Sequence, residues 1–319
     1  MIYRKLGRSG LDVSVFSMGG HEYLPDGRSR GFNENFALAI EPGYLFEGFG
    51  QERRRQILSM AFDGGINFFD VTQDSEKEAL GRNLKEIPPP YEIYIQTRPE
   101  AMVYTYDPYN RKMADYDLLK TEVQRILKLL QRDHLDFLNL AFMRQALDHD
   151  SQYLAKISFN VKALKKEGLI RFACADTFSG ETTYLKQIHA GCFDAVYINF
   201  NFADCGAKSQ VFPAAKAGNI PVITREAFMK GALFKMADEV QLRDRSRLAA
   251  IGIKWNLAHD EVATVVVGTS NPQHLRSNLA ALEHPELNAE ECSIIEKIKT
   301  SPTYKAYQDR KSKEFFEQA

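Results

Sequence analysis

Short apolar runs alternate with longer amphipathic segments along most of the chain. Eight runs rich in β-branched and aromatic residues predict strands: DVSVFSM, INFFD, EIYIQT, LDFLNLAF, LIRFACA, FDAVYINF, IPVITRE and VATVVVG. Between them, segments such as DYDLLKTEVQRILKLLQ and LAKISFNVKALKKEG place apolar residues three and four positions apart, which is typical of helices. The strands are apolar throughout rather than alternating, and this indicates a sheet that is covered on both faces.

Eight strand–helix units predict an α/β fold, a closed parallel (β/α)8 TIM barrel. A doubly wound open sheet is the alternative, but no G-x-G-x-x-G follows the first predicted strand, where a dinucleotide-binding open sheet would carry it. The opening YRKLGRSGLDV predicts an N-terminal β-hairpin that turns at Arg8-Ser9-Gly10. The closing SPTYKAYQDRKSKEFFEQA predicts an accessory C-terminal helix. We therefore expect one domain spanning residues 1–319.

The connection after the first predicted barrel strand is unusually long. Residues from about 20 to 50 are rich in glycine, proline and aromatic side chains and show no clean period. Structureless loops of this length are usually functional lids or disordered segments. The aromatic residues favour an ordered lid over the barrel mouth: Tyr23, Phe32, Phe36, Tyr44, Phe46 and Phe49.

Composition narrows the class of partner. The chain has 319 residues with 41 basic and 42 acidic side chains, so its charge balance attracts neither nucleic acid nor an anionic membrane, and a small molecule fits better. The four cysteines form no C-x-x-C pair, and MIYRKLGRSG lacks the apolar core of a signal peptide. We expect reduced thiols, a cytoplasmic location and no membrane span, while the oligomeric state is open.

Several segments, in order along the chain, resemble the aldo-keto reductase superfamily: RKLGRSGLDVSVFSMG, AFDGGINFFD, SEKEALGRNLK, LKKEGLIRFACADTFS, FDAVYINFNF and VVVGTSNPQHLRSNLAAL. The resemblance covers nearly the whole chain. It implies a (β/α)8 barrel that reduces carbonyl compounds with a nicotinamide cofactor, NADP or NAD.

In this superfamily a tyrosine donates the proton that completes hydride transfer, helped by an aspartate, a lysine and a histidine at neighbouring strand ends. Carried over by resemblance, Asp70 fills the aspartate position, whereas Ser75, Arg98 and Ala141 stand at the tyrosine, lysine and histidine positions. Arginine keeps a positive charge but does not donate a proton at neutral pH. General acid catalysis contributes about 10² to 10⁴ in rate, so this degraded tetrad predicts severe impairment on ordinary carbonyls.

Asp70 and Arg98 are predicted to form an ion pair between neighbouring strand ends. The pair is either part of a site or a strut that closes the barrel mouth, because buried ion pairs are weak indicators of function.

The resemblance also implies residues around the nicotinamide. The Ser-Asn pair that holds the amide corresponds to Asp176 and Thr177, the glutamine to Tyr197, and the stacking aromatic to Arg225, so every position departs from the family. Asp176 and Tyr197 still carry acceptors for an amide, and the planar guanidinium of Arg225 can stack on a ring.

The loop after the last strand is closer to the family. Its residues precede a helix that begins near Pro272, so backbone donors and the helix dipole face an anion. The alternative is that TSNP is simply a good helix cap. The residues implied at this phosphate corner are Gly268, Thr269, Ser270, His274 and Asn278.

The long loop offers substitute chemistry. His21 and Glu22 follow Gly19-Gly20 at the end of the first barrel strand, and a histidine with a pKa near 6.5 is a natural acid or base at neutral pH. Other charges fall near strand ends and favour a polar, carboxylated or sugar-like ligand: Arg28, Arg30, Asp70, Arg98, Asp176, Arg225 and Glu226. Arg28 and Arg30 themselves are expected to be solvated. No metal is predicted, because no H-x-x-x-H or cysteine cluster accompanies these residues.

Two hypotheses therefore stand. The first is a divergent reductase of a polar carbonyl or sugar, in which Asp70, Arg98 and a loop residue, His21 or Tyr23, replace the missing acid. The second is a barrel that has lost hydride chemistry and acts as a ligand-binding or regulatory protein. Fold alone does not decide between them.

Overall fold

The computed structural model describes residues 1–103 and 107–316. Two short strands form an N-terminal hairpin, and eight parallel strands close into a barrel. The hairpin strands are β1 (Tyr3–Lys5) and β2 (Asp12–Ser14). The barrel strands are β3 (Phe16–Gly19), β4 (Phe68–Val71), β5 (Tyr94–Thr97), β6 (Leu135–Ala141), β7 (Ile170–Asp176), β8 (Ala195–Asn199), β9 (Val222–Arg225) and β10 (Val262–Gly268).

The predicted TIM barrel is confirmed. Each barrel strand pairs with the next in sequence, and β10 pairs with both β9 and β3, which closes the sheet. The described helices are α1 (Phe36–Ala39), α2 (Glu52–Asp63), α3 (Asp74–Glu86), α4 (Arg111–Ala114), α5 (Tyr116–Leu130), α6 (Arg144–His149), α7 (Tyr153–Lys166), α8 (Glu181–His189), α9 (Val211–Ala217), α10 (Ala232–Glu239), α11 (Arg245–Leu257), α12 (Pro272–Ala280), α13 (Ala289–Lys299) and α14 (Pro302–Phe316). The last residues of the expected C-terminal helix, 317–319, lie outside the described chain.

The N-terminal hairpin is confirmed, but the first predicted strand is wrong in one respect. DVSVFSM is divided: its first three residues pair antiparallel with β1, and only the part from Phe16 joins the barrel. Gly10 makes the turn with a positive φ of 74°. Leu6 and Val13 are fully buried in the cluster that fills the barrel interior, so the hairpin covers the end opposite the carboxyl ends of the strands.

The long loop between β3 and α2 is held against the start of α3. Backbone N–H groups of Gly43 and Phe46 donate to Asp74 Oδ2 at 2.7 Å and to Ser75 Oγ at 2.9 Å. Arg30 is not a solvated charge as expected, because its guanidinium donates to the carbonyls of Glu47 and Gly48. The loop is therefore fixed by specific bonds to α3 and to itself.

Asp74 links this loop to the barrel, and we expect Asp74→Asn to lower the free energy of unfolding by about 3 kcal/mol. Its carboxylate accepts from Lys77 Nζ at 3.0 Å and Arg125 Nη1 at 2.5 Å, and Lys77 is fully buried. Burial opposes ionisation, but Lys77 and Arg125 lower the pKa of Asp74 to about 2.

Because this pKa lies below that of an unfolded aspartate, the stabilisation is present above about pH 4 and is lost as pH falls through about 2. Urea unfolding at neutral pH measures the loss, and limited proteolysis should cut the loop faster in the variant. The exposed Asp26→Asn serves as the control. Equal stability and equal cleavage in Asp74→Asn and the parent would contradict this prediction.

Candidate active site at the barrel mouth

Asp70 lies near the carboxyl end of β4 and is held by two neutral donors. Its Oδ1 accepts from Gln96 Nε2 at 3.1 Å, and its Oδ2 accepts from the Tyr197 hydroxyl at 2.8 Å. Burial raises the pKa of Asp70, although both hydrogen bonds and the charge of Arg98 oppose the shift. Tyr197 reaches Asp70 from β8, on the far side of the barrel, so this contact exists only because the barrel closes.

The predicted Asp70–Arg98 ion pair is wrong. Arg98 instead pairs with Glu100, with Nε 2.5 Å from Oε2 and Nη2 3.2 Å from Oε1. The strand register explains the difference, because Asp70 stands opposite Gln96 in the β4–β5 ladder and Arg98 follows the end of β5. Arg98 nevertheless lies near enough for its charge to act on Asp70.

His21 forms a pair with a buried glutamate. Its Nδ1 lies 2.7 Å from Glu76 Oε1, and Glu76 is 3% exposed and also accepts from the Thr72 N–H and Gln73 Nε2. Burial by itself lowers the pKa of His21, but Glu76 and Asp70 raise it above 6.5. Burial likewise opposes ionisation of Glu76, whose pKa His21 nonetheless lowers. Within residues 1–103 and 107–316, Nε2 of His21 has no hydrogen-bond partner.

Tyr23 connects the long loop to the loop after β10. Its backbone N–H donates to Ser270 Oγ at 2.7 Å, and its phenol packs on Gly268, where an added Cβ would stand 2.9 Å from the hydroxyl. Burial raises the pKa of Tyr23, as does Glu76, so the phenol is a weaker acid than an exposed tyrosine. His21 and Tyr23 thus both lie at the mouth, as the sequence predicts for the long loop.

Asp176 and Arg225 form a bidentate ion pair across the ends of β7 and β9. Arg225 Nη1 and Nη2 lie 2.8 and 2.9 Å from the two Asp176 oxygens, and its Nε donates to Asn199 Oδ1 at 2.6 Å. The guanidinium also stacks on the rings of Tyr197 and Phe178, at 4.5 and 4.9 Å from their centroids. Burial would lower the pKa of Arg225, but Asp176 raises it well above its ordinary value.

The Asp176–Arg225 pair limits the hydrogen-bonding groups that the predicted nicotinamide-binding residues could present to a cofactor. Asp176 is fully buried, and the Tyr197 hydroxyl already donates a hydrogen bond to Asp70. Thr177 is 3% exposed and accepts the N–H of Ser179 within its own turn. A nicotinamide amide bound as in the family would have to compete with these internal partners.

The two residues that the resemblance places at the tyrosine and histidine positions, Ser75 and Ala141, offer no acid. Ser75 is 2% exposed in the first turn of α3, and its hydroxyl faces Phe46 of the long loop rather than open space. Ala141 is fully buried at the end of β6, opposite Asp176. Among these four positions, proton exchange at neutral pH would have to involve Asp70.

The phosphate corner has the polar groups expected of an anion site. Asn271 caps α12 by accepting the Gln273 N–H at 2.9 Å, and Thr269 Oγ1 accepts the Asn271 N–H at 3.0 Å. Asn278 is only 4% exposed, yet its side-chain amide has no hydrogen-bond partner in the described part of the chain. His274 and Arg276 are exposed on the same helix. The amide atoms of Asn278 keep some contact with solvent, so they remain available to a ligand at this corner.

Across residues 1–103 and 107–316, no three or more His, Cys, Asp or Glu side chains are grouped to hold a metal ion. No helix of that same region is long and apolar enough to cross a membrane.

Comparison with known proteins adds the decisive finding. A sequence model of the aldo/keto reductase family matches residues 41–247 and 236–300. The chain belongs to the aldo/keto reductase family. Members of this family of oxidoreductases generally use NAD(P)H and act on small carbonyl compounds.

Two relatives illustrate the membership. L-galactose dehydrogenase of Arabidopsis thaliana is 23% identical over 330 residues, which cover 92% of this chain and 93% of that protein. An aldo-keto reductase of Bacillus halodurans superposes with a TM-score of 0.70 in its holo form and 0.65 in its apo form. Both forms are 20% identical to this chain and cover 93% of it and 96% of their own length, a level at which the likeness shows the fold.

Sequence reasoning missed Glu76, Gln96 and Glu100 as parts of this aldo-keto reductase site. Gln96 had a visible signal, because it is a polar residue inside an otherwise apolar strand. Glu76 had only its place in the first turn of a helix that follows a strand end, and its partner His21 lies 55 residues away.

Proposed function

We propose that this protein is a divergent aldo-keto reductase that uses NADP or NAD to reduce or oxidise a polar carbonyl or sugar-like substrate, with His21 as the proton donor. The observation that carries the proposal is the His21–Glu76 pair at the mouth, 2.7 Å between Nδ1 and Oε1. It supplies an ionisable acid beside Asp70, where the tyrosine of the family is missing.

The chemistry of His21 follows from its surroundings. Glu76 holds Nδ1 and favours the protonated ring, which leaves Nε2 as the atom that donates to a carbonyl oxygen as that oxygen gains negative charge. Arg98 contributes positive charge nearby. The His21 side chain is 37% exposed, so solvent returns its proton after each turnover. Tyr23 is the weaker candidate for this role, since its pKa is raised.

A nicotinamide cofactor would supply the hydride, and the residues present fit it at one end. The side-chain amide of Asn278 and the start of α12 suit its phosphate-bearing end. Gly268 and Ser270 line the same corner, and Tyr23 closes over them. At the nicotinamide end the family contacts are replaced by the Asp176–Arg225 pair, so ring recognition there would differ from the family's.

A sugar-like substrate is supported by two points. The mouth presents carboxylate, imidazole and guanidinium groups, which suit hydroxyl-rich or carboxylated molecules. The relative from Arabidopsis thaliana is named for its action on L-galactose.

The second candidate is a ligand-binding or regulatory protein without hydride transfer. The observation that favours it is the bidentate Asp176–Arg225 pair, which occupies the residues that hold nicotinamide in the family. Cofactor binding distinguishes the two.

We expect the purified protein to bind NADPH or NADH with micromolar affinity in calorimetric titration. Asn278→Ala should weaken binding by about tenfold, because one hydrogen-bonding group is lost. Its free energy of unfolding should change little, since the amide has no protein partner in the described chain. The matched control is Ser277→Ala on the same helix.

Absence of binding to either cofactor at millimolar concentration would reject the reductase and favour the second candidate. Binding that Asn278→Ala leaves unchanged would instead place the cofactor elsewhere. Given binding, a screen of aldoses and 2-oxo acids for reduction, and of sugars and 2-hydroxy acids for oxidation, identifies the substrate by the absorbance of the reduced cofactor.

A further inference from the structure

A small cavity of about 10 Å³ adjoins Glu76 between α2 and α3. Its polar lining comes from Glu22, Arg54, Glu76 and Asn83, and the rest is apolar. The size suits one water molecule, which needs a cavity of about 10–15 Å³ and two to four polar partners.

Two buried polar atoms on residues of this lining have no partner within residues 1–103 and 107–316: Nη1 of Arg54 and Oδ1 of Asn83. Arg54 uses Nη2 to donate to the Gly19 carbonyl at 3.0 Å, and Asn83 is 1% exposed. One atom is a donor and the other an acceptor, so a single molecule that both accepts and donates satisfies them together.

We propose that the cavity holds one ordered water, which accepts from Arg54 Nη1 and donates to Asn83 Oδ1 and to a carboxylate of the lining, and that Arg54 is a positioning residue for the His21–Glu76 pair. An anion would face the carboxylates of Glu22 and Glu76, and a cation would face the guanidinium. A water molecule can accept a hydrogen bond from the guanidinium and donate hydrogen bonds to the carboxylates.

The link to His21 is electrostatic. Arg54 and Glu76 line the same cavity, and Glu76 lies 2.7 Å from His21 Nδ1, so the charge of Arg54 acts on the carboxylate that holds the ring. His21 also faces Asp70 and Arg98. Arg54 therefore opposes part of the negative charge that favours protonated His21. The effect of Arg54 on catalysis rests on the proposed function. The ordered water and the His21–Glu76 pair do not depend on that function.

A crystal structure of the whole protein, at a resolution that shows ordered water, tests the ligand. We expect one peak within hydrogen-bond distance of Arg54 Nη1 and Asn83 Oδ1, and its loss in Asn83→Leu, which fills the space with an apolar group. A cavity without density, or a peak that behaves as an ion, overturns the water assignment.

An NMR titration of the His21 ring, without cofactor or substrate, tests the positioning role. Arg54→Met should raise the pKa of His21, because Glu76 loses a counter-charge, while Arg54→Lys should restore the parent value. Arg55→Met, on the same helix and paired with Glu52, is the control. An unchanged His21 pKa in folded Arg54→Met rejects the role. If Arg54→Met does not fold, Arg54→Gln replaces it.

Both readouts are independent of turnover. A protein that neither binds cofactor nor turns over substrate can still show the water and the shift, so the two proposals fail separately.

Discussion

Asp176→Asn is expected to lower the free energy of unfolding by about 4 kcal/mol, the largest stability loss that we predict. The substitution leaves Arg225 charged in a site where its side chain is 12% exposed and lies against two aromatic rings, without its carboxylate partner. Arginine does not escape by losing its proton, because its pKa stays far above neutrality. Urea or guanidinium unfolding followed by circular dichroism measures the loss.

A double-substitution cycle separates this pair from general packing. Arg225→Met with Asp176→Asn removes both charges, so the double variant should be more stable than Asp176→Asn alone. The exposed pair Lys5–Asp12 is the control, because surface ion pairs contribute about 0–1 kcal/mol. Additive losses of less than about 1 kcal/mol in each single variant would show that the pair is not a structural requirement.

The largest expected effect on activity comes from His21→Gln, which should lower kcat/KM for carbonyl reduction by about 10² to 10⁴. Glutamine keeps a polar group near Glu76 but has no ionisable proton. The cofactor Kd should change little, because His21 makes no hydrogen bond with the loop after β10 in the described chain. His189→Gln, an exposed histidine at the end of α8, controls for the substitution itself.

The pH profile gives the same prediction an independent readout. The proposed donor acts as protonated His21, so the rate of reduction should fall as pH rises through a pKa that Glu76 and Asp70 hold above 6.5. Glu76→Gln removes the carboxylate and should move that limb to lower pH. A profile that is unchanged in Glu76→Gln, or activity of His21→Gln within threefold of the parent, would assign the acid to another group.

Much of the fold could be predicted because strands of a sheet that is buried on both faces are apolar along their whole length. Runs such as LDFLNLAF and VATVVVG are apolar throughout, and each lies in a barrel strand. The division of DVSVFSM was not predictable from that signal, since no Gly or Pro marks the point near Val15 where the strand changes partners.

The sequence predicts which residues lie at the candidate site better than it predicts the partners of those residues. Asp70 lies near the carboxyl end of β4 and His21 follows the end of β3, and these strand ends meet at the barrel mouth. Which partner each takes depends on register and closure: Asp70 meets Gln96 because of the β4–β5 ladder, and Tyr197 because β8 lies across the barrel. Neither contact can be predicted from the spacing of residues along the chain.

The burial of Ser75 limits which side chains this position can accept. Its hydroxyl is bonded to the backbone of Phe46, and the same loop is bonded at Gly43 to Asp74. A phenol placed at this position would have to displace that loop before it reached the mouth. We therefore expect that a tyrosine substituted at position 75 would not by itself restore a proton donor at the mouth, because the loop occupies the path of the new side chain.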